Sequence, residues 1–172
     1  MFFLQFFYRF RNRLNLQLYF FCFSESKINS VGDEYEGISP LKMQKLLYYA
    51  QGIYLALNNS PLFDEKIEAW QHGPVVSSVY QRYKNCGNHV ISPAFDKDDE
   101  KLVSSIENTP AVIESLELTY SNFAIYTAWQ LRNMTHEKDT PWNITVSKDG
   151  LGSTIDNKLI KEYFLENVFE KD

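Results

Sequence analysis

Cysteine and histidine are scarce in this chain, and their scarcity excludes several kinds of site. The two cysteines, Cys22 and Cys86, are far apart and no CxxC pair is present, so neither a disulfide framework nor a zinc knuckle is indicated. The three histidines are His72, His89 and His136, and none is followed four residues later by a second metal ligand, as a helical zinc site requires. We therefore expect no metal ion, and a reducing cytoplasm is the compartment that fits this composition.

An excess of positive charge is also missing. The chain has 17 Lys and Arg against 22 Asp and Glu, a formal net charge of -5, whereas proteins that bind nucleic acid need clustered cations. The glycine-rich loops that hold phosphates and the G-x-S-x-G elbow of hydrolases are absent as well. We therefore expect no enzymatic activity, no cofactor and no nucleic-acid partner. A hydrolase using His136 and Glu137, and a DNA-binding regulator, are the disfavoured alternatives.

The first 23 residues are rich in Phe and Leu but do not form a continuous membrane span. Three arginines lie between positions 9 and 13, and each costs roughly 2.5–3.5 kcal/mol at the centre of a membrane helix. A signal peptide would begin with basic residues, whereas this chain begins with apolar ones. We predict that Leu14 to Phe23 form a first core helix and that residues 1–13 are an extra arm outside a domain of residues 14–172. No membrane partner is expected.

Helical periodicity and clear helix starts are what the sequence does contain. Ser39-Pro40, Thr109-Pro110 and Thr140-Pro141 each place a capping side chain before a proline, which is typical of a first helical turn. Gly73-Pro74 predicts a further helix start. The predicted fold is mainly α, a compact single-domain bundle of five to six helices with at most a short β-hairpin near residues 62–71.

Two later helices complete this prediction. One runs from about Ala124 to Met134 and is expected to direct Trp129 and Leu131 into the core. Apolar residues at helical spacing then predict a final amphipathic helix that begins near Ile155.

The helix that starts at Pro40 is predicted to be central, because an apolar stripe runs along it. Its other face mixes aromatic, amide and ammonium groups, and the candidate partner-binding residues lie there: Lys42, Gln44, Lys45, Tyr48, Tyr49 and Gln51. One interpretation is that these residues complete the core. The other is an exposed binding face, with Tyr48 as its first candidate hot spot, because Tyr offers contact area and a hydroxyl at low entropy cost.

Two blocks of sequence resemble a known family. The first reads S-P-L-K-M-Q-K-L-L-Y-Y-A-Q-G from Ser39, and W-Q-H-G-P-V follows from Trp70; the second joins T-H-E from Thr135 to Pro141-Trp142. In order and spacing they resemble the Panacea-domain antitoxins (SocA-like, phage-associated GepA-like). The motif residues expected to have structural roles are Trp70, Gly73, Pro74, Val75, Tyr80, His136, Pro141 and Trp142. Among them, His136 is expected to hydrogen-bond backbone near Trp142.

The function is implied by this resemblance and not by composition or spacing. The resemblance implies a cytoplasmic antitoxin that neutralises a toxin protein encoded beside it through direct protein–protein binding. It equally allows an adaptor that passes the toxin to a protease, and the sequence does not choose between these two routes.

Overall fold

The computed structural model describes Phe20, residues 37–92 and residues 109–169. Within them the fold is mainly α with one antiparallel hairpin, as predicted, and no helix is both long enough and apolar enough to cross a membrane. The elements are α1 (Pro40–Asn58), β1 (Glu68–Trp70), β2 (Gly73–Val75), α2 (Ser77–Tyr83), a 3-10 turn (Lys84–Cys86), α3 (Pro110–Phe123), α4 (Ala128–Thr135), α5 (Pro141–Asp149), α6 (Asn157–Phe164) and a π-helical turn (Leu165–Phe169).

The N-terminal predictions fall mostly outside the described residues. The boundary between an arm of residues 1–13 and a domain of residues 14–172 lies there entirely. Of the predicted first helix, Leu14 to Phe23, only Phe20 is described, and it is helical and buried.

Helix α1 is the central element, and local signals set both of its ends. The Ser39 hydroxyl accepts a hydrogen bond from the Lys42 backbone N–H at 3.3 Å, and Pro40 occupies the first turn. Asn59 ends the helix in a left-handed conformation. Because α1 contacts α3, α4, α6 and β2, almost every residue from Pro40 to Ile53 is buried. Both faces of α1 are therefore core faces.

The aromatic residues on the second face of α1 lie in the core. Tyr49 stacks on Phe123 with ring centroids 3.9 Å apart, and Tyr48 packs edge-on against Phe164 at 5.7 Å. A Cβ on Gly52 would collide with the Phe164 ring. Tyr48 is only 2% exposed, and this burial raises the pKa of its hydroxyl. Of the two interpretations of this face, the core one therefore holds for Tyr48 and Tyr49, and the exposed binding face around Tyr48 is wrong, because α3 and α6 cover it.

The hairpin lies where a helix start was expected. Pro74 lies in β2 and pairs with Ala69 of β1, and α2 begins only at Ser77. The predicted helix start at Pro74 is therefore wrong. Proline is compatible with this strand position because the backbone N–H and C=O of Ala69 bond to Ser153 and Gly152 on the opposite side. The pair with Ala69 therefore needs no N–H from Pro74.

Helix α4 starts later than predicted and faces differently. It begins at Ala128, four residues after the predicted start near Ala124, and Thr127 and Gln130 form a reciprocal capping box at its N-terminus. Leu131 is fully buried, whereas Trp129 is 57% exposed. The prediction that both point into the core is wrong, because residues two apart on a helix do not share a face.

Candidate functional site

The amide side chains of α1 bind the backbone on both sides of the hairpin. Gln44 accepts a hydrogen bond from the Val76 N–H at 2.8 Å, and its Nε2 donates to the Val76 carbonyl at 3.3 Å. Gln51 accepts from the N–H groups of Leu62 and Phe63 at 2.9 and 3.2 Å. The buried N–H groups of Val76, Leu62 and Phe63 have no strand partner, so the two glutamines supply the hydrogen bonds that a neighbouring strand would otherwise provide.

Lys45 lies beneath the turn of the hairpin. Its side chain is fully buried and Nζ donates to the Pro74 carbonyl at 2.9 Å, while no carboxylate pairs with it in the part of the chain that the structure describes. Burial, together with the nearby Arg132 guanidinium, lowers the pKa of Lys45 to about 7. Gly73 has a φ of +96° here, and a Cβ on it would lie 2.8 Å from Nζ of Lys45 and 2.7 Å from Oγ1 of Thr135. Only glycine therefore fits at position 73, where the turn of the hairpin passes close to Lys45 and Thr135.

The second sequence block holds the same turn from the other side. Nε2 of His136 lies 3.1 Å from the Gln71 carbonyl and Nδ1 lies 2.7 Å from the Arg132 carbonyl. The His136 ring packs on Trp142 with centroids 3.6 Å apart, and the Trp142 indole N–H donates to the Trp70 carbonyl at 2.9 Å. Burial lowers the pKa of His136, against the effect of its two carbonyl contacts.

Both blocks therefore converge on one hairpin. Lys45, His136 and Trp142 contact backbone carbonyls of that hairpin, and Gln44 bonds to Val76, which directly follows it. What they hold in place is the outer edge of the turn, where Gln71 and His72 are exposed and Trp70 is half-buried.

A cleft of about 910 Å³ opens beside this turn. It lies between the N-terminus of α1, the hairpin, α2 with the turn after it, and the N-terminus of α4. Trp70 and Tyr80 form one wall in an edge-to-face pair 5.0 Å apart, and Trp129 forms another, 6.3 Å from the His72 ring. We call this cleft the groove.

The groove contains only part of the predicted site. Lys42, Gln44, Trp70, Val75 and Tyr80 line it. The other predicted residues do not: Lys45, Tyr48, Tyr49, Gln51, Gly73, Pro74, His136, Pro141 and Trp142 lie behind it, in the core or in the hairpin supports.

Sequence reasoning missed several groove residues, above all Trp129. Leu41, His72, His89 and Val90 were also not among the predicted site residues. For Trp129 a signal was available, because it lies two positions from the apolar Leu131 and so on another face of the same helix.

The charge of the groove differs from that of the whole chain. No Asp or Glu is among its described lining residues, which include Lys42, His72 and His89, although the chain carries a net charge of -5. The carboxylate of Glu68, just outside the lining, accepts a hydrogen bond from the Trp70 indole N–H at 2.8 Å. No group of three or more His, Cys, Asp or Glu among the described residues could hold a metal ion.

Comparison with known proteins confirms the predicted family. The model of the SocA-like antitoxin family, the Panacea domain, matches residues 43–143. The chain belongs to this family. Antitoxin SocA of Caulobacter vibrioides (strain NA1000 / CB15N) is 33% identical over 135 residues, which cover 74% of this chain and 72% of SocA. No solved structure matches.

The range matched by the family model covers the hairpin and its supports. It begins within α1 and ends just after Trp142, so it contains the hairpin, its supports from both sequence blocks, and most of the groove. Helix α6, which packs against α1, lies beyond it.

Proposed function

We propose that this Panacea-domain protein is an antitoxin that neutralises a cognate toxin by binding it directly in the cytoplasm, and that the groove is the binding site. The toxin is proposed to be encoded beside the antitoxin. The observation that carries this proposal is a large exposed aromatic, Trp129, at the wall of an open groove in a chain of an antitoxin family.

The composition of the groove supports a protein partner. Interface hot spots are typically Trp, Tyr and Arg, and Trp70, Tyr80 and Trp129 face the groove with part of their rings exposed. The supports around the hairpin keep Trp70 in place, so little side-chain freedom is lost on binding. The geometry thus favours a preformed binding surface.

The predicted partner-binding residues of α1 contribute in two ways in this proposal. Lys42 and Gln44 line the groove. Lys45 and Gln51 are buried and act indirectly, because their hydrogen bonds position the hairpin and the chain before it. Tyr48 and Tyr49 contribute through the core that carries α1.

The protein is proposed to act without catalysis. Both ring nitrogens of His136 face backbone carbonyls and its ring packs on Trp142. This geometry favours a structural role, and we expect a folded His136→Gln chain to keep its protective effect.

The test is to co-express this protein, or a variant of it, with the product of a neighbouring gene that is toxic when expressed alone. Trp129→Ala should abolish both toxin binding in pull-down and protection of growth, because truncating a central hot spot costs about 2 kcal/mol or more. Leu151→Ala is the matched control, since Leu151 is 59% exposed but does not line the groove. Full protection by Trp129→Ala would contradict the groove as the binding site.

The lifetime of the toxin separates the two routes that the family allows. Direct neutralisation predicts that the half-life of the toxin is the same with and without this protein. A shortened half-life that is restored by removing a cellular protease would instead show that the protein acts as an adaptor.

A further inference from the structure

A cation, Arg132, lies over the ring of Trp129 beside the groove, although it is not itself a lining residue. The guanidinium carbon of Arg132 lies 5.1 Å from the centroid of the Trp129 ring. Nη1 donates to Oδ1 of Asn133 at 3.1 Å, Nε has no acceptor, and no carboxylate pairs with this side chain among the described residues. The guanidinium is a planar fork of donors that matches a carboxylate, and it is commonly used at interfaces.

Two further basic side chains lie near Arg132. His72 lies across from Trp129 in the groove, and buried Lys45 lies close to Arg132, with a pKa that is lowered by burial and by that guanidinium. The described lining residues include no acid, and Glu68 outside them is engaged by the Trp70 indole. In a chain of net charge -5, an aromatic groove whose described lining carries no acid is complementary to an acidic ligand.

We propose that the groove binds an extended segment of the partner in which an Asp or Glu stands next to bulky apolar side chains. The carboxylate contacts the Arg132 guanidinium, and the apolar side chains pack between Trp129 and the Trp70–Tyr80 pair. This inference rests on the proposed function, because the segment belongs to the toxin. It adds the chemistry that the toxin must present.

The experiment does not require the toxin to be known. Short random peptides displayed on phage are selected on the immobilised full chain, and the enriched sequences are synthesised with a fluorescent label. We expect Asp or Glu beside Trp, Phe or Leu in these peptides, and we expect their binding to weaken as salt is raised. Arg132→Gln should weaken binding about tenfold or more, since a charge-assisted contact is lost.

The chain offers a matched control for this variant. Arg82 is exposed and lies over the ring of Tyr83 at 5.6 Å, in the same kind of contact, but Tyr83, unlike Trp129, does not line the groove. Arg82→Gln should leave peptide binding unchanged, and Trp129→Ala should weaken it. Circular dichroism establishes that each variant is folded before binding is compared.

Several results would overturn the inference. Enriched peptides that lack acids, or binding that Arg132→Gln leaves unchanged, would show that the groove does not select a carboxylate. A folded Arg132→Gln chain that has lost the acidic peptides but still protects against the toxin would also overturn it, while the proposed function would stand. If the wild-type chain binds acidic peptides but protects against no neighbouring toxin, the proposed function fails and the ligand chemistry of the groove is supported.

Discussion

Polar side chains of the central helix supply hydrogen bonds to the backbone that a neighbouring strand would otherwise provide. Gln44 meets both backbone groups of Val76, and Lys45 meets the carbonyl of Pro74. These are buried bonds between positions about thirty residues apart, so they tie the hairpin to α1 more specifically than apolar packing does. Polar identity at these positions therefore follows from the backbone geometry of a distant segment.

Replacing Gln44 by Leu tests this at the scale of one residue. The variant leaves the buried N–H of Val76 without its partner, while the Val76 carbonyl still accepts from the N–H groups of Val79 and Tyr80. An unsatisfied buried group costs about 1–3 kcal/mol, so we expect the free energy of unfolding in urea to fall by about that amount. Gln81→Leu, on the exposed side of α2, should change it by less than about 0.5 kcal/mol. Equal losses in the two variants would contradict the role of Gln44.

Lys45 should make stability depend on pH. Its pKa is lowered from 10.5 to about 7 by burial and by Arg132, so the unfolded chain binds more protons than the folded chain between these two values. Stability therefore rises with pH through this window and is lowest below about pH 7. Relative to Lys45→Met, the wild-type free energy of unfolding should rise by about 2 kcal/mol between about pH 7 and 9. If the free energies of unfolding of the wild type and of Lys45→Met changed in parallel with pH, the lowered pKa of Lys45 would be contradicted.

At the scale of elements, the hairpin is where the two sequence blocks meet. α1 approaches it from one side through Lys45, and the segment after α4 approaches it through His136 and Trp142. The turn passes so close to both that its backbone needs a glycine. The two sequence blocks, which are far apart along the chain, are therefore in direct contact in the folded protein.

Replacing Gly73 by Ala should damage this contact. The positive φ is unfavourable for Ala, and the added Cβ meets Lys45 and Thr135 at less than 3.0 Å. Gly150 is the matched control, because its φ of +86° is similar but no atom lies within 4 Å of the added Cβ. Gly73→Ala should therefore lower the free energy of unfolding by about 1–3 kcal/mol more than Gly150→Ala does. A smaller loss for Gly73→Ala than for Gly150→Ala would mean that the turn adapts freely.

At the scale of the whole molecule, the described core is built around α1. The family model begins at residue 43, and α3, α4 and α6, which pack on α1, come after it in the chain. A chain of net charge -5 whose groove has no acid among its described lining residues also distributes its charge unevenly. Such a distribution favours association with a partner of complementary charge.

Removing residues 1–13 should therefore preserve both fold and protection. We expect the truncated chain to keep its midpoint of thermal unfolding within a few degrees and to protect cells from the toxin as the full chain does. The measurements are a thermal melt followed by circular dichroism and the co-expression assay. Loss of folding after truncation would place residues 1–13 within the domain.

Sequence determined the family and the helix starts at Pro40, Pro110 and Pro141, because these depend on local or contiguous patterns. Ser39-Pro40 and Thr140-Pro141 cap α1 and α5 as predicted, since a cap needs only the residues of its own first turn. The mainly α class follows from the same periodicity, and the two blocks were sufficient to indicate the Panacea family.

Tertiary structure decided which faces are buried. Proline is favourable both in the first turn of a helix and at a strand position that donates no N–H. Pro74 lies in a strand because it pairs with Ala69, which the local sequence does not reveal. Tyr48 is covered because α6 packs over it, whereas Trp129 stays exposed at the groove. Burial is a property of what lies opposite a residue, and those neighbours come from distant parts of the chain; therefore the groove emerged only from the packed structure.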